Sequence, residues 1–182
     1  MNQSIVPTAS DLIGPEPRQG LAKTACPRQS APMRIALFEP EIPGNVGAVL
    51  RLAACLGADV DLIEPLGFAW EDRRVRRAAM DYIDHVNFTR HADFAAFKAA
   101  IGSRRLVLFT TKSKRSSYAF EYAADDVLLF GKESAGVPAS VADACQERVC
   151  IPMRPQVRSM NLATATALAL GEALRQTASL PG

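Results

Sequence analysis

Three stretches of the chain gather glycine, proline and hydrogen-bonding side chains in the manner of ligand-holding loops. The first is Glu39-Pro40-Glu41-Ile42-Pro43-Gly44-Asn45-Val46-Gly47, which runs into a helix-patterned segment carrying Arg51. The second is Gly131-Lys132-Glu133-Ser134-Ala135-Gly136-Val137-Pro138. The third runs from Ile151-Pro152-Met153 through Arg154 and Arg158 to Ser159-Met160-Asn161, where a long apolar helix pattern opens. Their polar members, Asn45, Arg51, Glu133, Ser159 and Asn161, suit the positioning of a polar ligand and the stabilisation of charge. Each loop taken alone also has a plainer reading. Glycine and proline make turns, Ser159 or Asn161 caps a helix, and Glu133 is a solvated loop charge. The sequence contains neither a G-x-G-x-x-G fingerprint nor a G-x-x-x-x-G-K-[ST] phosphate loop, which weakens ordinary dinucleotide-binding and NTPase readings.

Loops of this kind need elements to hold them, and the chain alternates between two patterns. Short apolar runs at residues 34–38, 60–63, 83–88, 106–110, 127–130 and 148–151 predict strands. Helical spacing predicts helices over residues 45–56, 71–80, 93–101, 139–145 and 161–176, with Gly57 and Gly102 as natural stops. Strand and helix in alternation predict an α/β fold with a mostly parallel sheet flanked by helices. In such sheets ligands collect at the loops leaving the carboxyl ends of strands, which is where all three stretches fall.

The 182 residues are enough for one domain, and 48% hydrophobic against 22% charged residues supports a real core. No apolar run approaches the roughly 18 residues of a membrane span. Cys26, Cys55, Cys145 and Cys150 form no C-x-x-C pair, and there are two histidines, so a disulfide framework, a zinc ribbon and a His-rich metal site are all disfavoured. No metal is expected. The formal charge of +2 neither establishes nor excludes a nucleic-acid partner. Residues 1–32 hold five of the twelve prolines and no periodic apolar pattern. They read as a disordered tail, neither secretory signal nor transit peptide, and Met33 directly before the first strand offers an alternative start. The expected organisation is therefore this tail, a domain over residues 33–177 and a short tail over 178–182, in a cytoplasmic protein.

Taken together and in this order, the three loops resemble the motifs of the SPOUT RNA methyltransferases. Pro43-Gly44-Asn45-Val46-Gly47 with Arg51 is similar to motif 1, Leu129 to Pro138 to motif 2, and Ile151-Pro152-Met153 with Ser159-Met160-Asn161-Leu162 to motif 3. Five further stretches resemble one branch, the TrmL-type wobble-nucleotide tRNA 2′-O-methyltransferases. They are Phe38-Glu39-Pro40-Glu41-Ile42-Pro43, Ile63-Glu64-Pro65-Leu66-Gly67-Phe68-Ala69-Trp70, Arg76-Arg77-Ala78, Met80-Asp81-Tyr82 and Thr110-Thr111-Lys112. Gly44 stands where proline is common, and Ala163-Thr164-Ala165 where Ser-Asn-Ala is frequent.

The resemblance implies an α/β knot, in which the C-terminal segment threads a loop as a deep trefoil, a rare exception to unknotted chains. It implies S-adenosylmethionine as methyl donor, contacted by Phe109, Gly131, Ile151 and Ser159, with Glu133 either a polar partner beside the cofactor or an anchor of its loop. A glycine at 131 would let backbone approach the cofactor closely. It implies methylation of the ribose 2′-hydroxyl of the wobble cytidine or modified uridine in a tRNA anticodon loop. Arg51 is the implied catalytic group. A guanidinium is an expensive base, so stabilisation of charge on the 2′-oxygen is the preferred role. Asn45, Ser159 and Asn161 would complete the catalytic set. For RNA binding, phosphate contacts fall to Arg73, Arg74, Arg76 and Arg77, extended by Arg154 and Arg158. The family's homodimer would use the last helix, where Leu162, Ala165, Ala169 and Ala173 form either a close-packed subunit face or part of the chain's own core. Methylation at another tRNA position or in rRNA, and a non-catalytic RNA-binding protein on the same scaffold, are the alternatives.

Overall fold

The structure, a computed structural model, describes residues 32–70 and 73–182. All of the expected N-terminal tail but Pro32 lies outside the described residues, as do Glu71 and Asp72. Strands β1 (Arg34–Phe38), β2 (Asp59–Ile63), β3 (Phe88–His91), β4 (Leu106–Phe109), β5 (Val127–Phe130) and β6 (Glu147–Val149) form one sheet in the order β3-β2-β1-β5-β4-β6. Every pairing in it is parallel. The helices are α1 (Pro43–Leu56), α2 (Arg73–Ala79), α3 (Phe94–Ile101), α4 (Ala139–Asp143) and α5 (Leu162–Gln176).

Alternation along the strands divides the core in two, because successive side chains leave opposite faces of a sheet. Ile35 and Leu37 of β1 pack with Val46, Val49 and Leu50 of α1 and Leu170 and Ala173 of α5. Ala36 and Phe38 pack with Phe97 and Ile101 of α3 and Val141 of α4. Helix α1 begins on Pro43, whose fixed φ suits the first helical turn. It ends at Gly57, in the left-handed region at φ 71°. Asp93 caps α3 by accepting from the Ala96 amide at 2.7 Å.

The strand expected over residues 83–88 is not there. Met80–His85 is a 3-10 segment, and β3 comes later, at Phe88–His91. Its middle residues, Thr89 and Arg90, are exposed on the sheet edge, so β3 lacks the apolar run by which a strand is recognised. The last strand closes at Val149 rather than residue 151. Cys150 instead exchanges backbone bonds with residues 115–117. On α5, Leu162, Ala169 and Ala173 are buried in the chain's own core and Ala165 packs against it. The small-residue face thus serves internal packing.

A buried charged network centres on Asp61. Asp61 has no exposed side-chain surface, yet it accepts from Arg34 Nε at 2.7 Å, from Arg34 through its second terminal nitrogen at 2.8 Å, and lies 2.7 Å from His91 Nε2. An ionised carboxylate only accepts, so the His91 ring carries its proton on Nε2.

Candidate active site

The sheet order explains how loops far apart in sequence meet. Strands β1, β5, β4 and β6 are consecutive neighbours, with Leu37 opposite Phe130, Phe130 opposite Phe109, and Phe109 opposite Val149. The three motif loops leave the carboxyl ends of β1, β5 and β6, so parallel pairing delivers all of them to one rim.

A chain of side-chain hydrogen bonds then joins them. Glu133 accepts from the Glu41 amide at 2.8 Å through one carboxylate oxygen and from Asn45 Nδ2 at 2.9 Å through the other. Asn45 Oδ1 accepts from Asn161 Nδ2 at 2.9 Å. Asn161 Oδ1 in turn accepts from the Thr164 amide at 3.2 Å, capping α5. The order of donors is forced: Glu133 offers only acceptors, so Asn45 must turn its NH₂ toward it and present its oxygen to Asn161. Asn45 is buried in this position. A second clasp binds the same two loops. Glu41 accepts from the Ser134 hydroxyl at 2.7 Å and the Ser134 amide at 2.8 Å, and Lys132 Nζ reaches Glu39 at 2.8 Å. The Ser134 hydroxyl, and then its amide, hold the Glu41 carboxyl below its usual range. The bond to Glu39 raises the Lys132 ammonium above its usual value.

Two residues of the second loop have structural parts in it. Glu133 is an anchor of its loop against the first loop, through the bonds just described. Gly131 is a glycine because of its own loop: a Cβ there would lie 2.4 Å from the carbonyl carbon of Gly136. Residues 132 and 136 pair as an antiparallel bridge, and Gly136 turns the chain at φ +72°. Within the protein, the close approach at 131 is backbone to backbone inside the loop.

The remaining expected residues distribute as follows. Phe109 is half-buried and stacks on Phe130 with ring centroids 4.8 Å apart, while Gly131 and Ile151 are half-buried at the neighbouring strand ends. Ser159 is exposed two residues before Asn161. Arg73, Arg74, Arg76 and Arg77 are exposed on α2, with Val75 and Ala79 turned inward, and Arg154 and Arg158 are exposed in the third loop. Arg51, exposed on α1, is not tied into the Asn45 chain. Its terminal nitrogen lies 3.2 Å from Met80 Sδ, and its guanidinium sits 5.1 Å from the centre of the Tyr82 ring. Six residues of helix advance about 600°, which puts Arg51 some 120° around α1 from Asn45. Glu39, Glu41, Lys132 and Ser134 were not singled out from sequence. Their partners lie about ninety residues away, and no local pattern marks them.

Among the described residues no group of His, Cys, Asp and Glu is arranged to hold a metal ion, and no helix is long and apolar enough to cross a membrane. Residues 32–171, which contain all three motif loops, match the model of the SpoU rRNA Methylase family. The chain belongs to that family. Within it, the chain is 51% identical over 148 residues to a tRNA (cytidine(34)-2′-O)-methyltransferase of Beijerinckia indica subsp. indica, covering 80% of this chain and 92% of that one. It is 45% identical over 146 residues to the protein so described in Escherichia coli K12, covering 79% and 93%. A solved structure described as giving structural insights into the 2-OH methylation of C/U34 on tRNA superposes with a TM-score of 0.76 at 41% identity, over 79% of this chain and 95% of that one. An AdoMet-bound rRNA methyltransferase of Sinorhizobium meliloti superposes at 0.74 with 27% identity, over 81% of this chain and 57% of that one.

Proposed function

We propose that this protein transfers a methyl group from S-adenosylmethionine to the ribose 2′-hydroxyl of the wobble nucleotide, cytidine or modified uridine, of a tRNA anticodon loop. The observation that carries the reading is the hydrogen-bonded chain Glu133–Asn45–Asn161. It draws the three motif loops of this methylase family into one site, in a chain about half identical to wobble-cytidine methyltransferases.

The residues present fit the cofactor. Phe109 and Ile151 offer half-buried apolar surface at adjoining strand ends, suited to an adenine face, and Ser159 of the third loop offers an exposed hydroxyl. With Gly131, they are the residues we assign to holding it. The bound cofactor supplies an electrophilic sulfonium methyl. Transfer of that methyl would form an O–C bond as the C–S bond breaks, leave S-adenosylhomocysteine and pass the hydroxyl proton to solvent, and it would need the 2′-oxygen held in line. Arg51 stabilises the charge that develops on that oxygen and orients the neighbouring phosphate. Asn45 and Asn161, fixed through Glu133, set the loop positions against which ribose and cofactor align. Arg73, Arg74, Arg76, Arg77, Arg154 and Arg158 supply phosphate contacts on two exposed segments. We assign the chain a trefoil-knotted C-terminal region, a homodimeric assembly and a cytoplasmic location with its tRNA, on the strength of the same family resemblance. The domain is residues 33–177, flanked by tails 1–32 and 178–182.

The test is methyl transfer in vitro to an anticodon stem-loop bearing ribose or 2′-deoxyribose at the wobble position, read by nucleoside mass spectrometry. Methylation of the ribose substrate and none of the deoxy substrate is expected. Equal methylation of both, or of neither, overturns the assignment.

A further inference from the structure

Seven of the arginines described have carboxylate partners or, as with Arg104, a backbone carbonyl. Arg34, Arg90, Arg105, Arg115, Arg148 and Arg175 each form an ion pair within hydrogen-bonding distance. Arg51 is held differently. The contacts recorded for it are a thioether sulfur, Met80 Sδ at 3.2 Å, and an aromatic face, Tyr82 at 5.1 Å. Both orient a guanidinium, the ring through its negative face and the sulfur as a weak acceptor. Neither neutralises it. A carboxylate in their place would fix the side chain equally well and cancel the charge that the reaction needs.

The segment that supplies these partners is itself unusual. Met80 opens the 3-10 segment with φ +54°, in the left-handed region that residues with a Cβ seldom occupy, and its side chain is half exposed. Neither burial nor a hydrogen-bonding side chain of its own accounts for that backbone. Strain of this kind persists where surrounding structure imposes it, and it gathers at functional sites. Here α2 imposes it. A Cβ on Gly47 of α1 would lie 2.5 Å from the Val75 carbonyl oxygen and 2.6 Å from the Ala78 Cβ, so α2 rides directly on α1 and delivers residues 80–82 alongside Arg51.

We infer that Tyr82, with Met80, is a positioning residue for methyl transfer: it holds Arg51 in its working orientation while leaving the guanidinium charge uncompensated for the ribose oxygen and phosphate. The inference rests on the assignment of Arg51 made above. It names Met80 and Tyr82 as acting through Arg51 rather than on substrate.

The experiment is single-turnover methylation at saturating tRNA and S-adenosylmethionine with Arg51→Ala, Tyr82→Leu, Tyr82→Phe, Met80→Leu and the double variant Arg51→Ala/Tyr82→Leu. Cofactor and tRNA affinities of each are measured beside it. Tyr82→Leu is expected to slow turnover about five-fold, the size of an exposed cation–π contact, with both affinities unchanged. Tyr82→Phe keeps the ring and is expected to keep the rate. In the Arg51→Ala background Tyr82→Leu is expected to add nothing. A wild-type rate for Arg51→Ala would remove the catalytic assignment itself. A slow Arg51→Ala beside a wild-type Tyr82→Leu, or losses that multiply in the double variant, would leave that assignment standing and overturn the positioning role. If Tyr82→Leu does not fold, Met80→Leu at its exposed position decides, with about two-fold slowing expected and a wild-type rate fatal to the clamp.

Discussion

Two polar networks in this molecule use similar chemistry to opposite ends. Under β1, β2 and β3, Asp61 is enclosed completely and saturated by Arg34 and His91. At the carboxyl rim, Glu133, Asn45 and Asn161 are linked by single bonds through neutral amides, and the chain ends on a helix cap. The first network closes on itself within three neighbouring strands. The second joins loops that no strand pairing joins. A saturated ion pair fixes strands whose position packing already decides. A relay through amides, together with the clasp of Glu41 with Ser134 and of Lys132 with Glu39, fixes loops that strand pairing leaves unjoined.

The comparison predicts a separation of stability from turnover. Asp61→Ala removes two bonds of the partly buried Arg34 guanidinium, which keeps Asp59 at 3.0 Å, and leaves the buried His91 ring without its partner, at an expected cost of about 1–3 kcal/mol of unfolding free energy. Denaturant midpoints report the loss, and the rate per folded molecule should hold. A fall in rate on that scale without a fall in stability would mean that the two networks are not distinct. Asn45→Asp should do the reverse. It sets a carboxylate against Glu133 at the 2.9 Å contact, parting the first loop from the second. Misplacement by about 1 Å is enough to lower turnover about 10²-fold. Single-turnover rates and thermal unfolding of the same sample check both halves.

Gly131→Ala sharpens the account of the second loop. With a Cβ 2.4 Å from the Gly136 backbone, the loop must open, at about 1–3 kcal/mol. The loss should appear without cofactor present, by thermal unfolding of the free protein. Unchanged stability with weakened cofactor affinity would restore the cofactor as the reason for the glycine.

The smallest effect expected is that of acid on the second clasp. Glu41 is held below its usual range by Ser134, so its folded-state value lies under its unfolded one. The contact is then fully present above the ordinary carboxylate range, near pH 4.3, and is lost as pH falls through the folded value. The Ser134 amide resonance should stay constant from about pH 7 to 5 and move only below about pH 4. Glu41→Gln should abolish that movement.

Much of this was legible in the chain. Buried strands such as Leu106–Phe109 and Val127–Phe130 announce themselves by unbroken apolar runs, and Gly57 and Asp93 mark helix ends by residue type alone. Strand β3 did not, because an edge strand exposes the residues that would otherwise carry the pattern. Among site residues, Asn45, Glu133 and Asn161 stood out by motif. That Glu133 anchors its loop was one of two readings of the sequence, but its partners, 88 and 92 residues earlier, were not legible. The Arg51–Met80–Tyr82 contact stayed hidden for a different reason: it depends on a left-handed Met80, a backbone state that methionine itself does not advertise.

The separation of Asn45 from Asn161 by 116 residues also sets a timetable. At about 5–20 residues per second, ribosomal synthesis takes roughly 6–23 s to pass from one to the other. Throughout that interval the first loop has emerged without the residue that completes its relay, while the buried Asp61 triad has had all its members since His91. The newborn chain therefore acquires its strand-locking charges early and its active rim among its last acts, when the segment that ends in α5 arrives.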